Sequence, residues 1–170
     1  MSLELLGAMR ETCYDMFVAR GYTDIEIDRI TLTAKTSEGR LVHLQFVQQP
    51  KLNVELVKYF YSKLYAQGIF HAILVSEQGA TPSVSKLIAS IQEFTFELFE
   101  SRQLVFNPLK HRLVPKHSLE PAQNHPHAQK YPVLSRADAI SKFMGFVSGQ
   151  VIRIDRKDGT IYFRVVKSLQ

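Results

Sequence analysis

The chain has 170 residues, 45% hydrophobic and 22% charged, and a formal net charge of +5. That length bounds it to one medium domain or two small ones. No run of ~18 apolar residues occurs, which excludes a membrane-spanning helix; the acid-containing N-terminus MSLELLGAMRETCYDM argues against a secretory signal. A single cysteine, Cys13, excludes an internal disulfide or a cysteine-rich zinc site and fits a reducing compartment.

Residues 3–19 read as an amphipathic helix, with Leu5, Leu6, Met9, Cys13, Met16 and Phe17 on one stripe and a stop at Gly21. Cys13 lies in that stripe, so it reads as a buried, inert thiol. Ile25, Ile27, Ile30, Leu32 and Ala34 belong to alternating segments, and SEGR (37–40) is a turn. LVHLQFV (41–47) then puts Leu41, His43, Gln45 and Val47 on one face of a strand and Val42, Leu44 and Phe46 on the other. Asn53 is a good N-cap for a helix over 54–67, broken by Gly68. IFHAILV (69–75) is apolar on both faces, as a central strand covered by helices would be. His71 interrupts it and reads as a core histidine with a satisfied hydrogen bond rather than a ligand or catalytic base.

Thr81-Pro82 opens a short helix in which Thr81 caps free N–H groups and Pro82 sits where no N–H is needed. Phe94, Phe96 and Leu98 alternate, as does LVF (104–106), which predicts two further strands. Residues 107–132 hold five prolines and four histidines and read as a boundary plus a long connector. A helix over Ala137–Met144, stopped by Gly145, comes next. Strands 149–156 and 160–166 are joined at KDG (157–159), where Asp158-Gly159 signals a two-residue hairpin. Two modules result: an α/β module over 1–107 and a small β-rich module over 108–170.

The charge divides along the same line. Residues 1–107 carry 10 Lys+Arg against 12 Asp+Glu, and residues 108–170 carry 11 against 4. A basic segment of this kind could face nucleic acid, an acidic protein surface or only solvent. No phosphate-cradling glycine loop or nucleophile elbow is present. His111, His117, His125 and His127 lack the cysteine or carboxylate neighbours that zinc sites use, so they read as a solvated histidine-rich connector. A metal-dependent nuclease needs an acid on one strand and a Glu-x-Lys type pair on the next. The candidate strand offers His43, Gln45 and Val47, which hold a hard dication poorly. No cofactor and no metal are expected.

Two patches resemble a known family: KHRLVPKH (110–117) and YPVLSRADAISKFMGFVSGQVIRIDRKDGTIYFRVV (131–166). They are similar to the C-terminal module of the fifth-largest, shared subunit of eukaryotic RNA polymerases, a module that archaeal RNA polymerases carry as a separate small polypeptide. His111, Leu113, Val114, Pro115, Lys116 and His117 match an H-x-L-V-P-K-H strand. Pro132, Arg136, Asp138, Gly145, Gly149, Val151, Ile154, Arg156, Gly159 and Arg164 match the second motif. GIFHAILVSEQGATPSVSKLI (68–88) resembles the strand, loop and Thr-Pro-Ser helix start of the same eukaryotic protein. The connector SLEPAQNHPHAQK departs from that family's longer charged insert, and Asp138-Ala139 stands where Asp-Pro is common.

The resemblance implies a fold and a role. The first module would be a restriction-endonuclease-like α/β jaw domain without an active site. The second would be a small β-rich assembly domain like the archaeal polypeptide. The chain would be a non-catalytic subunit of a DNA-directed RNA polymerase, docked on the largest subunit and beside downstream double-stranded DNA. It would bind no membrane and no small-molecule substrate. Thr81, Pro82, Ser83 and Lys86 would lie near the DNA, and His111, Leu113, Val114, Pro115, Lys116, His117, Pro132, Arg136, Asp138, Gly145, Gly149 and Arg164 would serve assembly. The implied location is the nucleus, or a viral factory or virion for a large-DNA-virus version. The alternatives from the residues themselves are a structure-selective nuclease and a free basic nucleic-acid-binding adaptor.

Overall fold

A computed structural model describes residues 3–168. Residues 1–106 and 107–170 form two compact units. Among the described residues no helix is long and apolar enough to cross a membrane.

The first unit runs α1 (Leu3–Ala19), β1 (Thr23–Ile27), β2 (Thr31–Lys35), β3 (Leu41–Phe46), α2 (Val54–Ala66), β4 (His71–Ser76), α3 (Pro82–Ser90) and β5 (Thr95–Glu100). The five strands make one sheet in chain order. β1, β2 and β3 pair antiparallel, whereas β3, β4 and β5 pair parallel. Parallel neighbours need a crossover, and α2 and α3 supply the two.

Helices cover both faces of the parallel part. Val57, Phe60 and Leu64 of α2 and Val84 of α3 pack on Val47, Ala72, Leu74 and Phe96. The residues of opposite parity, Ile73, Val75 and Phe99, are also buried; their face is the one to which the C-terminal end of α1 is tied. β4 is therefore enclosed from Ala72 to Ser76, and each large aliphatic there contributes about 1.5–3 kcal/mol by leaving water. Gln45 is buried with this strand layer although its side chain is polar. Its amide nitrogen donates to the carbonyls of Ile30 (3.2 Å) and Phe46 (3.0 Å), which offsets the desolvation.

The predicted strand at 104–106 does not form. Glu100 and Gln103 make a reciprocal capping box around a 3-10 turn at Ser101–Gln103, and this turns the chain out of the sheet. Leu104 closes that turn and is buried, while Val105 and Phe106 are exposed.

The second unit comprises β6 (Lys116–Glu120), β7 (Val133–Ser135), α4 (Ala139–Met144), β8 (Val151–Asp155) and β9 (Ile161–Lys167). Its sheet has the order β6-β8-β9-β7, with β7 parallel to β9 and the other pairs antiparallel. Leu134, Phe146, Ile152, Ile154 and Val166 form one buried cluster, and Ile140, Phe143, Val151 and Val165 are buried as well.

Four expectations are corrected here. The stretch 107–132 is not simply a connector, because β6 lies within it. The HRLVPKH strand is confined to Lys116 onward: His111 ends a 3-10 turn (Pro108–Lys110), and the Val114 N–H bonds back to the His111 carbonyl at 3.0 Å. The helix starts at Ala139 rather than Ala137, because the Asp138 carboxylate accepts from the Ile140 and Ser141 N–H groups and fixes the start there. Gly145 ends it at φ 69°, a left-handed conformation that favours glycine. The β8–β9 hairpin has a three-residue loop: Arg156 N–H meets the Thr160 carbonyl at 2.9 Å, and Gly159 takes φ 84°. That is the longer turn with a glycine after it, not the two-residue type.

Candidate functional site

The three parallel strands end at Phe46, Ser76 and Glu100, and the loops that follow are tied together by backbone. Val47 N–H reaches the Val75 carbonyl (2.8 Å), Gln78 N–H the Pro50 carbonyl (2.7 Å) and Leu52 N–H the Gly79 carbonyl (2.9 Å). Leu52 and Ala80 form a parallel bridge. Ser76 Oγ donates to the Gly79 carbonyl (2.9 Å), and Ser101 Oγ donates to the Ser76 carbonyl (3.2 Å). Gly79 is required in this lacework: its φ is 77°, and a Cβ there would stand 3.0 Å from a Glu100 carboxylate oxygen. The loops hold the start of α3 on a rigid base.

That start differs from the predicted cap. Thr81 occupies the N-cap position, but its side chain makes no cap hydrogen bond. The Val84 and Ser85 N–H groups go to the Thr81 carbonyl (3.0 and 3.4 Å), and the Thr81 N–H goes to the Leu52 carbonyl (3.1 Å). Pro82 has no N–H to give. In the first turn this leaves the Ser83 amide and the Thr81 and Ser83 hydroxyls without a hydrogen-bond partner among the described residues. Pro82, Ser83 and Lys86 are exposed and Thr81 is half-buried. A turn so arranged can offer one amide, two hydroxyls and one ammonium to an anion.

A buried ion cluster escaped the sequence reading. Arg20, at the end of α1, donates two hydrogen bonds to Glu97 on β5, at 2.8 and 2.7 Å. His71 Nε2 lies 2.7 Å from the same carboxylate. The Arg20 and Glu97 side chains are 3% and 15% exposed. Burial pushes Glu97 upward, but the Arg20 charge and the hydrogen bonds from His71 and Arg20 outweigh it and hold the carboxyl at about 2. Burial opposes the Arg20 charge as well, and Glu97 more than compensates, so the guanidinium is held more firmly protonated than usual. Seventy-seven residues separate the two, which no local pattern could reveal. The Glu97 carboxylate takes both cationic partners at once, so the cluster ties the end of α1 to the sheet.

On the strand tested for nuclease ligands, His43 is half-buried and burial lowers its imidazole below the ordinary range. Gln45 is turned to backbone carbonyls. Among the described residues no group of three His, Cys, Asp or Glu side chains is placed to hold a metal ion. Cys13 is enclosed, and burial pushes its thiol up to about 12, so it is a poor nucleophile.

In the second unit the predicted assembly residues fall into two sets. One set holds the unit itself together. Pro132 and Val133 offer carbonyls to Val165 N–H (3.1 Å) and the Arg164 guanidinium (3.3 Å). Arg136 N–H extends the β7–β9 pairing to the Lys167 carbonyl (2.9 Å). Gly149, at φ 93°, brings its N–H to the Val166 carbonyl (2.9 Å). Asp138 and Gly145 bound α4. The other set is displayed: His111 and Lys116 are exposed and Leu113 is 75% exposed. Val114, Pro115 and His117 are half-buried, with His117 Nδ1 donating to the Pro115 carbonyl at 2.8 Å. Leu119, Val147, Ile161 and Tyr162 add exposed apolar surface that the motif did not single out. The connector is also pinned: His125 shares a 3.0 Å hydrogen bond with the Tyr131 hydroxyl, and its ring lies 4.7 Å from that of Phe163.

No family profile matches the chain. Among curated proteins it is similar to "DNA-directed RNA polymerases I, II, and III subunit RPABC1" of Caenorhabditis briggsae and of Caenorhabditis elegans. Each is 26% identical over 124 residues, covering 68% of this chain. The match spans 59% of the length of those relatives. Among solved structures, the chain is similar to an ATP-dependent Type ISP restriction-modification enzyme bound to DNA. There the TM-score is 0.41 and the identity 16%, over 56% of this chain and 7% of that one. A likeness at that level carries no argument.

Proposed function

We propose that the chain is a non-catalytic subunit of a DNA-directed RNA polymerase, working in the nucleus with other polymerase subunits. The observation that supports this reading most is the 124-residue similarity to the shared polymerase subunit of two nematodes. In this reading the first unit is a restriction-endonuclease-like jaw domain without an active site. The second is an assembly domain of the kind that archaeal polymerases carry as a separate small polypeptide.

The two surfaces would then divide the work. The second unit carries the basic excess and the displayed Leu113, Leu119 and Tyr162, an apolar-and-basic surface suited to a large, partly acidic neighbour such as the largest polymerase subunit. The α3 turn, with Thr81, Ser83 and Lys86, would touch downstream duplex through phosphates and read no sequence. A single unpartnered amide and one lysine make that contact weak.

The test is affinity capture of the tagged full chain from its native cells, followed by mass spectrometry. Recovery with the two largest polymerase subunits is expected. Repeated capture without any polymerase subunit, or metal-dependent DNA cleavage by the purified chain, overturns the reading.

A further inference from the structure

The acidic balance of the first unit conceals a polarised surface. Residues 51–90, which hold α2 and α3, carry four lysines against two glutamates; the remainder of 1–107 carries six basic against ten acidic residues. Pairing sharpens the contrast. Arg20, Lys35, Arg40 and Arg102 each meet an acid, whereas Lys51, Lys58, Lys63 and Lys86, like Arg10 and Arg29 elsewhere in the unit, form no ion pair among the described residues. Three of these six unpaired cations, Lys58, Lys63 and Lys86, sit on α2 and α3.

Within that layer α2 presents a continuous polar strip. Lys58, Tyr59, Ser62 and Lys63 are exposed and, with Glu55, line a shallow hollow of about 530 Å³. The Lys63 ammonium lies over the Tyr59 ring, 6.0 Å from its centroid. α2 starts beside the α3 turn, because Leu52 pairs with Ala80 and Asn53 caps α2 directly after it. Both helices pack on the same face of the sheet.

We propose that the exposed strip of α2, centred on Lys58 and Lys63, is a second contact surface for the phosphate backbone of double-stranded DNA. The proposal rests on the reading of the α3 turn as DNA-proximal and extends it along the neighbouring helix. The thirteen residues of α2 span about 20 Å, the axial length of about six base pairs. Two ammonium groups and two hydroxyls on an open surface suit a ladder of phosphates, which needs no pocket. An acidic peptide would need a buried apolar anchor, and the hollow is too shallow to give one. With Lys63 over its ring, Tyr59 is engaged by a cation rather than open for base stacking.

The experiment is fluorescence-anisotropy titration of the full chain with a labelled 20-base-pair duplex of arbitrary sequence, between 25 and 200 mM NaCl. Lys58→Gln/Lys63→Gln is expected to lower the slope of log affinity against log salt by about 1.8, and Lys86→Gln by about 0.9. Lys58→Arg/Lys63→Arg is expected to keep the wild-type slope, which separates charge from folding. An unchanged slope in the α2 double variant, beside a reduced one in Lys86→Gln, overturns this inference and leaves the proposed function standing. Unchanged slopes in both remove the DNA contact altogether. Equal binding of a labelled 20-residue polyglutamate, with the same loss in the double variant, also overturns it in favour of an acidic protein partner.

Discussion

Glu97→Gln changes one oxygen to nitrogen and removes one charge, yet the structure gives it a large effect. The substitution leaves the Arg20 guanidinium 3% exposed with no anion beside it. Breaking a buried pair by neutralising one member costs about 3–5 kcal/mol. The proton equilibrium gives an independent figure. The Glu97 carboxyl is held at about 2 against 4.5 ordinarily, which corresponds to about 3 kcal/mol at neutral pH. Because the folded-state value lies below the unfolded one, that contribution is complete above about pH 4.5 and is lost as the pH falls through about 2. Far-UV circular dichroism is the suitable probe, since the chain has no tryptophan. At pH 7 the variant's first unit is expected to melt about 12–24 °C lower. The gap between wild type and variant should narrow steadily between pH 4.5 and 2. A cost under about 1 kcal/mol at pH 7, or a gap that stays constant down to pH 2, refutes the assignment of Glu97 as a buried anion held by Arg20 and His71.

Three further outcomes follow from local geometry. Asn53→Ala removes the oxygen that accepts from the Leu56 N–H at 2.8 Å and should destabilise the first unit by about 1 kcal/mol in urea unfolding; no change would mean that water replaces the cap. Ser141→Ala deletes a buried hydroxyl with no hydrogen-bond partner among the described residues, so thermal unfolding of the second unit should shift upward or stay within about 0.5 kcal/mol, and a clear loss would reveal a partner. Cys13, with its thiol pushed up to about 12, should fail to react with a thiol-specific disulfide reagent at pH 8 in the native protein and react promptly in guanidinium; native-state labelling at the denatured rate contradicts the burial.

Much of the first unit could be read from residue periodicity. Met9, Cys13, Met16 and Phe17 mark one helix face and are all buried, and Asn53 caps α2 as its side chain suggests. The doubly covered strand at 71–76 showed as the apolar run 69–75 interrupted by His71, and His71 is the satisfied histidine it was expected to be. What failed did so for identifiable reasons. At Thr81 the residue takes the N-cap position but its hydroxyl makes no cap hydrogen bond, a detail of side-chain placement that residue type alone does not fix. β6 carries a single large aliphatic, Leu119, and that side chain is 55% exposed, so no alternation stood out from the prolines around it. β7 is only three residues long and gains its place by pairing with β9, thirty-two positions away. Arg20 and Glu97 meet only because the sheet brings them together. At the candidate sites the sequence did not show that Asp138, Gly145 and Gly149 shape the second unit while Leu113 and Lys116 are displayed.

The strand orders of the two sheets bear on how the chain comes off the ribosome. The first sheet has all five strands once Glu100 has emerged, each laid beside its predecessor, so it can grow outward during translation. In the second, β9 lies between β8 and β7, so one of the two interior positions is filled only after its outer neighbour β7 has been made. β7 must wait unpaired until Ile161–Lys167 arrive, and a nascent chain halted before them would present bare edges to its surroundings.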